Sequence, residues 1–150
     1  MKTLTIEWQR LLDEQQETCP RCGSTEQEVE KAVNSLKKEL APYEINVTLR
    51  KTAIDQESFK QDTQQSNKIM IAGKMLEEWL GAQTGQSKCC DACDDADCRT
   101  VEYAGQTHEA VPEDLIFKAG LIAASKMFGV QLLGADKKKS AVKFISKGCC

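Results

Sequence analysis

The sequence predicts an α/β fold in a single domain, and three observations carry that prediction. Leu4, Ile6 and Trp8 alternate with Thr3, Thr5 and Glu7, the period of a strand with one buried face. Val29, Val33, Leu36 and Leu40 then fall at helical spacing on a Glu- and Lys-rich segment that ends before Pro42. Ile45, Val47 and Leu49 restore the strand period. A strand–loop–helix–strand unit of this length joins parallel strands through a crossover helix.

The remaining elements follow in order. Residues 55–66 are polar and weakly helical, and Ile69 to Ala72 form a short apolar strand closed by Gly73. From Gly81 to Lys88 the chain is rich in Gly, Gln and Ser and reads as a loop leading into a cysteine cluster. RTVEY-AGQ-THEAV reads as a hairpin turning at Gly105, and Pro112 opens a helix. Leu115, Ala119, Ile122 and Lys126 mark one flank of that helix, with Phe117, Leu121, Ala124 and Phe128 widening its apolar surface. The expected organisation is a domain over residues 1–134, with a Cys-rich insertion at about 82–99, and a basic, flexible tail over 135–150 ending in Cys-Cys.

With 150 residues the chain is long enough to bury a core. Hydrophobic residues make up 41% and charged residues 29%, as in soluble globular proteins. A net charge of −3 gives no electrostatic reason to expect nucleic acid as a partner. MKTLTIEWQR lacks the apolar core of a signal peptide. The longest apolar region, 115–134, contains Lys118 and Lys126 and reads as a packed helix, so no membrane partner and a cytoplasmic location are expected. In a reducing compartment, eight cysteines point to a metal site or a redox pair rather than to a structural disulfide framework.

CPRCG, residues 19–23, follows a strand and opens a helix. The positive dipole end of a helix, together with Arg21, stabilises a thiolate on the leading cysteine. The two-residue spacing lets the sulfurs form a reversible disulfide, with Cys19 attacking and Cys22 resolving. The same residues also spell a zinc knuckle. A zinc ribbon, however, supplies its second CxxC about 15–20 residues later, and here the next candidate, Cys90–Cys93, lies beyond a whole helix and strand.

The order of a strand, CPRC at a helix start, a parallel strand and then SNKIMIAG resembles the thioredoxin-like fold. More closely, the run from CPRCG through EEWLGA, the cysteine cluster and CRTVEYAGQTHEAVPEDLI resembles a small prokaryotic thioredoxin-like family, domain of unknown function 2703, over residues 3–128. The resemblance implies a central mixed sheet flanked by helices, with the Cys-rich loop inserted before the last hairpin and helix; it brings no established activity. Thioredoxin-like proteins place a cis-proline before the third strand, facing the cysteines. Asn67 stands there in this chain, so a trans bond is expected, with the Asn67 N–H and amide near the sulfurs.

CCDACDDADC, residues 89–98, is spaced Cys-Cys-x2-Cys-x4-Cys. Adjacent cysteines point apart, so one of Cys89 and Cys90 with Cys93 and Cys98 makes a three-sulfur site suited to a thiophilic ion or trivalent metalloid. The aspartates do not follow the calcium-loop pattern. Cys149 and Cys150 follow the lysine-rich tail and read as accessory thiols on an exposed arm. His108, the single histidine, could complete a Cys3His site but reads first as a surface or half-buried residue, and Trp8 and Trp79 read as packing residues. No phosphate loop, Ser–His–Asp set or paired-carboxylate pattern is present.

Two functions are therefore expected. One is a thioredoxin-like thiol–disulfide oxidoreductase using Cys19 and Cys22, needing no cofactor and exchanging with a thiol or disulfide partner protein. The alternative is a soft-metal binding protein without turnover, holding zinc, mercury or arsenite on Cys89, Cys90, Cys93 and Cys98.

Overall fold

The computed structural model describes residues 2–18, 20–88 and 97–132. β1 (Lys2–Leu11) buries Leu4, Ile6 and Trp8 completely on one face, as the alternation requires. After it α1 (Pro20–Leu40) covers that face with Val29, Ala32, Val33, Leu36 and Leu40, its buried stripe. Ala41–Tyr43 close the helix as a single 3-10 turn around Pro42, and Glu44 in the left-handed region redirects the chain. β2 (Ile45–Ile54) then pairs with β1 in parallel along its whole length, from Lys2–Ile45 to Leu11–Ile54. The parallel pair joined by a crossover helix agrees with the sequence pattern.

α2 (Gln56–Gln61) is a short helix capped by Asp55, whose carboxylate accepts from the Ser58 N–H at 2.8 Å. Its Phe59 is buried. A 3-10 turn (Thr63–Gln65) precedes β3 (Lys68–Ile71), which runs antiparallel to β1, and β4 (Lys74–Met75) folds back on β3 through Ala72 and Gly73. Both turn residues have positive φ, +52° and +80°, the geometry of a two-residue hairpin turn. The first sheet is thus ordered β2-β1-β3-β4.

α3 (Leu76–Leu80) leads into a second sheet ordered β5-β6-β7, formed by β5 (Gln83–Lys88), β6 (Asp97–Tyr103) and β7 (Gln106–His108). The β6–β7 hairpin turns at Ala104 and Gly105, as the sequence predicts. Residues 83–88, expected as loop, are instead a strand paired to β6 from Gln83–Glu102 to Lys88–Asp97. Gly, Gln and Ser have little intrinsic strand preference; the β-branched partner strand supplies what the local composition lacks. Gly85 is required there, because a Cβ would lie 2.6 Å from Thr100 Oγ1. The helical stretch after Pro112 is α4 (Glu113–Phe128), which buries Leu115, Ile116, Ala119, Gly120, Leu121, Ala123 and Ala124. α4 packs on α1 and α3 and reaches β1 and β3. It comes so close to α1 that a Cβ on Gly120 would meet Leu36 Cδ1 at 2.5 Å.

Candidate functional site

The end of β1, the start of α1 and the segment before β3 converge. The connection from β1 is an Asp13 turn, whose carboxylate accepts from the Gln15 and Glu17 N–H groups, each at 2.9 Å. It delivers the chain to Thr18, whose Oγ1 is buried with no hydrogen-bond partner among the described residues. Cys19 itself lies outside the described residues. α1 begins at the next position and carries no acidic residue in its first turn, so nothing on the helix offsets the positive end of its dipole.

Cys22 is the third residue of α1, a buried thiol with 3% exposure. Its sulfur lies 3.6 Å from Ser66 Oγ, also buried. The Ser66 oxygen accepts the Leu11 N–H at 3.1 Å. One lone pair is thereby occupied while the hydroxyl proton stays available to the sulfur. Either group can be the donor of this contact; only with Cys22 as a thiolate is the Ser66 hydroxyl necessarily the donor.

Asn67, the neighbour of Ser66, has its side-chain amide engaged away from Cys22. Its Oδ1 accepts from Trp8 Nε1 at 3.2 Å and its Nδ2 donates to the Glu109 carbonyl at 3.3 Å. Its φ of +58° is left-handed, a conformation asparagine adopts more readily than most residues. No peptide bond among the described residues is cis. Asn67 is therefore a clasp that turns the chain into β3, and the neighbouring Ser66 meets the sulfur instead.

The second sheet docks on this same segment. Arg99 donates from Nη1 to the Gln64 carbonyl at 3.0 Å, and from Nη2 to Glu77 Oε1 at 2.8 Å and Thr84 Oγ1 at 3.2 Å. The Arg99 and Glu77 side chains are 4% and 5% exposed, a buried ion pair whose second carboxylate oxygen, Glu77 Oε2, has no hydrogen-bond partner among the described residues. Ser87 Oγ donates to Glu109 Oε1 at 3.2 Å, the residue whose carbonyl holds Asn67. Ser87 is paired across the ladder with Cys98.

Cys98 is buried and disulfide-bonded, its partner lying outside the described residues. While that bond stands, Cys98 offers no thiolate to a metal, so the metal reading needs the reduced form. Cys89, Cys90, Cys93, Cys149 and Cys150 lie outside the described residues. Among the described residues no three His, Cys, Asp or Glu side chains are grouped to hold a metal ion.

His108 is buried at 5% exposure, not at the surface, and burial pushes its imidazole below the ordinary value of 6.5. It pairs with Val101, three residues from Cys98, so strand alternation sets the two on opposite faces of the sheet. Trp8 is core and Trp79 is half-buried, its Nε1 donating to the Ile71 carbonyl at 2.7 Å. A groove of about 440 Å³, bordered by Gln83, Glu102, Tyr103 and Thr107, lies at the far end of the β5–β6 hairpin from Cys98.

Sequence reasoning missed Ser66, Ser87, Arg99 and Glu109. For Arg99 a signal existed: in CRTVEY the strand period puts it on the face of Val101, which marks a buried cation needing a partner. For the two serines and Glu109 no local signal existed. Among the described residues no helix is long and apolar enough to cross a membrane.

Residues 4–120 match the family described as a domain of unknown function, DUF2703. An uncharacterized protein of Archaeoglobus fulgidus is 42% identical over 113 residues, covering 75% of this chain and 82% of that protein. No solved structure matches the chain.

Proposed function

The chain belongs to the domain of unknown function 2703 family, and from that premise we propose that it is a thioredoxin-like thiol–disulfide redox protein acting through Cys19 and Cys22. The observation that carries the reading is the buried Cys22 thiol on the first turn of α1, 3.6 Å from a hydroxyl that an N–H of β1 already orients. The parallel β1–β2 pair joined by α1, with β3 and β4 antiparallel beside β1, supports the thioredoxin-like assignment.

In this reading Cys19, sequentially just ahead of the helix, attacks one sulfur of a partner's disulfide as thiolate. A mixed disulfide forms and the other partner sulfur leaves as thiolate. Cys22 then loses its proton, attacks Cys19 and closes the internal disulfide, releasing the second partner thiol. The partner gains two electrons and the pair loses two. Ser66 stabilises the Cys22 sulfur while it carries charge.

The test is reduction of a peptide disulfide by the reduced protein, with trapping of the Cys19–Cys22 bond. We expect Cys19→Ser to abolish turnover and Ser66→Ala to slow the resolving step by about tenfold, the worth of one hydrogen bond to a charged group. Full activity in Cys19→Ser would remove the proposal. Elemental analysis of the fully reduced protein decides the alternative: stoichiometric zinc lost in Cys93→Ser would favour metal binding.

A further inference from the structure

The geometry points to Asn67 as the positioning residue of the Cys22 thiol: by breaking the β1–β3 ladder it turns the Ser66 hydroxyl onto the sulfur. The inference deepens the redox reading above and rests on it for the use the contact is put to. The ladder runs through Ile6–Ile71, Glu7–Met70, Trp8–Ile69 and Gln9–Lys68. Continued in that register, Asn67 would face Arg10 and Ser66 would face Leu11. The Ala72 N–H bonds the Thr5 carbonyl at 2.9 Å, and in an antiparallel ladder every second pair repeats that exchange. Leu11 and Ser66 fall on this alternation, so an unbroken β3 would send the Leu11 N–H to the Ser66 carbonyl. Asn67 prevents it. Its φ of +58° lies outside the range of a strand, and β3 begins only at Lys68. The Leu11 N–H is met instead by Ser66 Oγ at 3.1 Å, and the same hydroxyl lies 3.6 Å from Cys22 Sγ. A hydroxyl, which can donate as well as accept, has replaced a carbonyl that could only accept.

Asparagine suits this break for two reasons. Among residues with a side chain it is one of the few that enters the left-handed region readily. Its amide also carries both an acceptor and a donor. Oδ1 accepts from Trp8 Nε1 at 3.2 Å, and Nδ2 donates to the Glu109 carbonyl at 3.3 Å. Glycine would keep the turn but lose both bonds, and an ionised aspartate would lose the donor. On the other side of Ser66, Gln9 Nε2 donates to the Gln65 carbonyl at 2.8 Å, and the Ser66 N–H reaches the Thr63 carbonyl at 3.4 Å. Ser66 is therefore held from both directions. Ser66, Asn67 and Cys22 are all buried, so water competes little for the sulfur.

The test follows Cys22 ionisation in the full-length reduced protein, by NMR of its isotopically labelled Cβ against pH. The resonance is assigned by its loss in Cys22→Ser, and the measurement needs no reagent to enter the core. Ser66→Ala should lower the Cys22 acid dissociation constant by about tenfold, the worth of one hydrogen bond to a charged group. Asn67→Ala, which loses both the left-handed preference and the clasp, should lower it nearly as much, and Asn67→Gly, which keeps the turn, by less. In a Ser66→Ala background Asn67→Ala should add no further shift, because its effect passes through the hydroxyl. A merely structural role would leave the titration in place. The positioning role is overturned if Ser66→Ala leaves the titration unmoved, or if Asn67→Ala leaves it unmoved where Ser66→Ala shifts it. A shift that persists undiminished in the Ser66→Ala background overturns it as well. Asn67→Gly carries the same comparisons should Asn67→Ala not fold. Each of these failures leaves the redox reading standing, since that reading is decided by the turnover of Cys19→Ser.

Discussion

In the first sheet β1 buries Leu4, Ile6 and Trp8 against the apolar stripes of α1 and α4, whereas in the second β6 buries Arg99 and Thr100 alongside Cys98 and Val101. The first arrangement depends on area removed from water, which many residues share and which tolerates modest exchange. The second depends on a few directional contacts: the Arg99 guanidinium spans Glu77, Thr84 and Gln64 at once, tying β6 to α3, β5 and the turn before Ser66. Paired buried charges add little net stability, but removing one leaves the other stranded. The second sheet should therefore be specific in its docking and brittle when a single contact is lost.

The largest expected effect tests that brittleness. Glu77→Ala strands the Arg99 guanidinium and should cost about 3–5 kcal/mol in denaturant unfolding. The paired replacement Glu77→Leu/Arg99→Met should recover most of it. A loss below about 1 kcal/mol for the single variant would show that the second sheet relies on apolar burial like the first.

The first sheet is probed where α4 meets α1. Gly120→Ala drives a methyl into Leu36, with an overpacking cost of about 1–3 kcal/mol that the helix preference of alanine, about 1 kcal/mol, partly offsets. A net loss of about 1 kcal/mol is expected by the same unfolding measurement. In a Leu36→Ala background the new methyl should become neutral or stabilising, and the double-mutant cycle measures that coupling.

A smaller effect separates the two regions by pH. Burial holds the folded His108 below its ordinary 6.5, so the unfolded chain takes up the proton first as pH falls. The contribution of neutral His108 is complete above pH 6.5, declines beneath it by at most about 1.4 kcal/mol per pH unit, and levels off below the folded pKa. His108→Gln should flatten that slope. Asp55 and Asp62, held below the ordinary 3.8 by hydrogen bonds to Ser58 and to Gln65 and Gln64 respectively, lose their contribution only at more acid pH. A slope unchanged by His108→Gln would place the sensitive group elsewhere.

The smallest effect belongs to the surface. Lys51 of β2 bridges Glu30 at 2.6 Å and Glu26 at 3.4 Å on α1, which raises its pKa. All three side chains are at least a third exposed, so Lys51→Ala should cost less than about 0.5 kcal/mol, and less still in 1 M salt.

Periodicity carried the reading of β1, α1 and the start of β2 because each buries a regular face. Val29, Val33, Leu36 and Leu40 announce α1 without reference to any distant residue. The reading failed at 83–88, where Gly, Gln and Ser form a strand only because β6 lies beside them. At the candidate site CPRC was legible, since the spacing of two thiols at a helix start is a local fact. Ser66 was not, because its contact with Cys22 spans 44 positions and depends on how β1 and β3 pair.

The sequence by itself determined the alternating and helical apolar patterns, and with them the βαβ unit, the β6–β7 hairpin and the place of Cys22 in the first turn of α1. These follow from interactions between residues close along the chain, where backbone geometry converts spacing into a shared face. Only the tertiary structure decided that Asn67 clasps Trp8 and Glu109, that Ser66 meets Cys22, and that Arg99 and Glu77 bring the Cys98 strand to the same place. Each of those is a single polar contact between residues distant in sequence. Such a contact has no period to betray it; it exists because a buried donor must find an acceptor once the chain has closed around it.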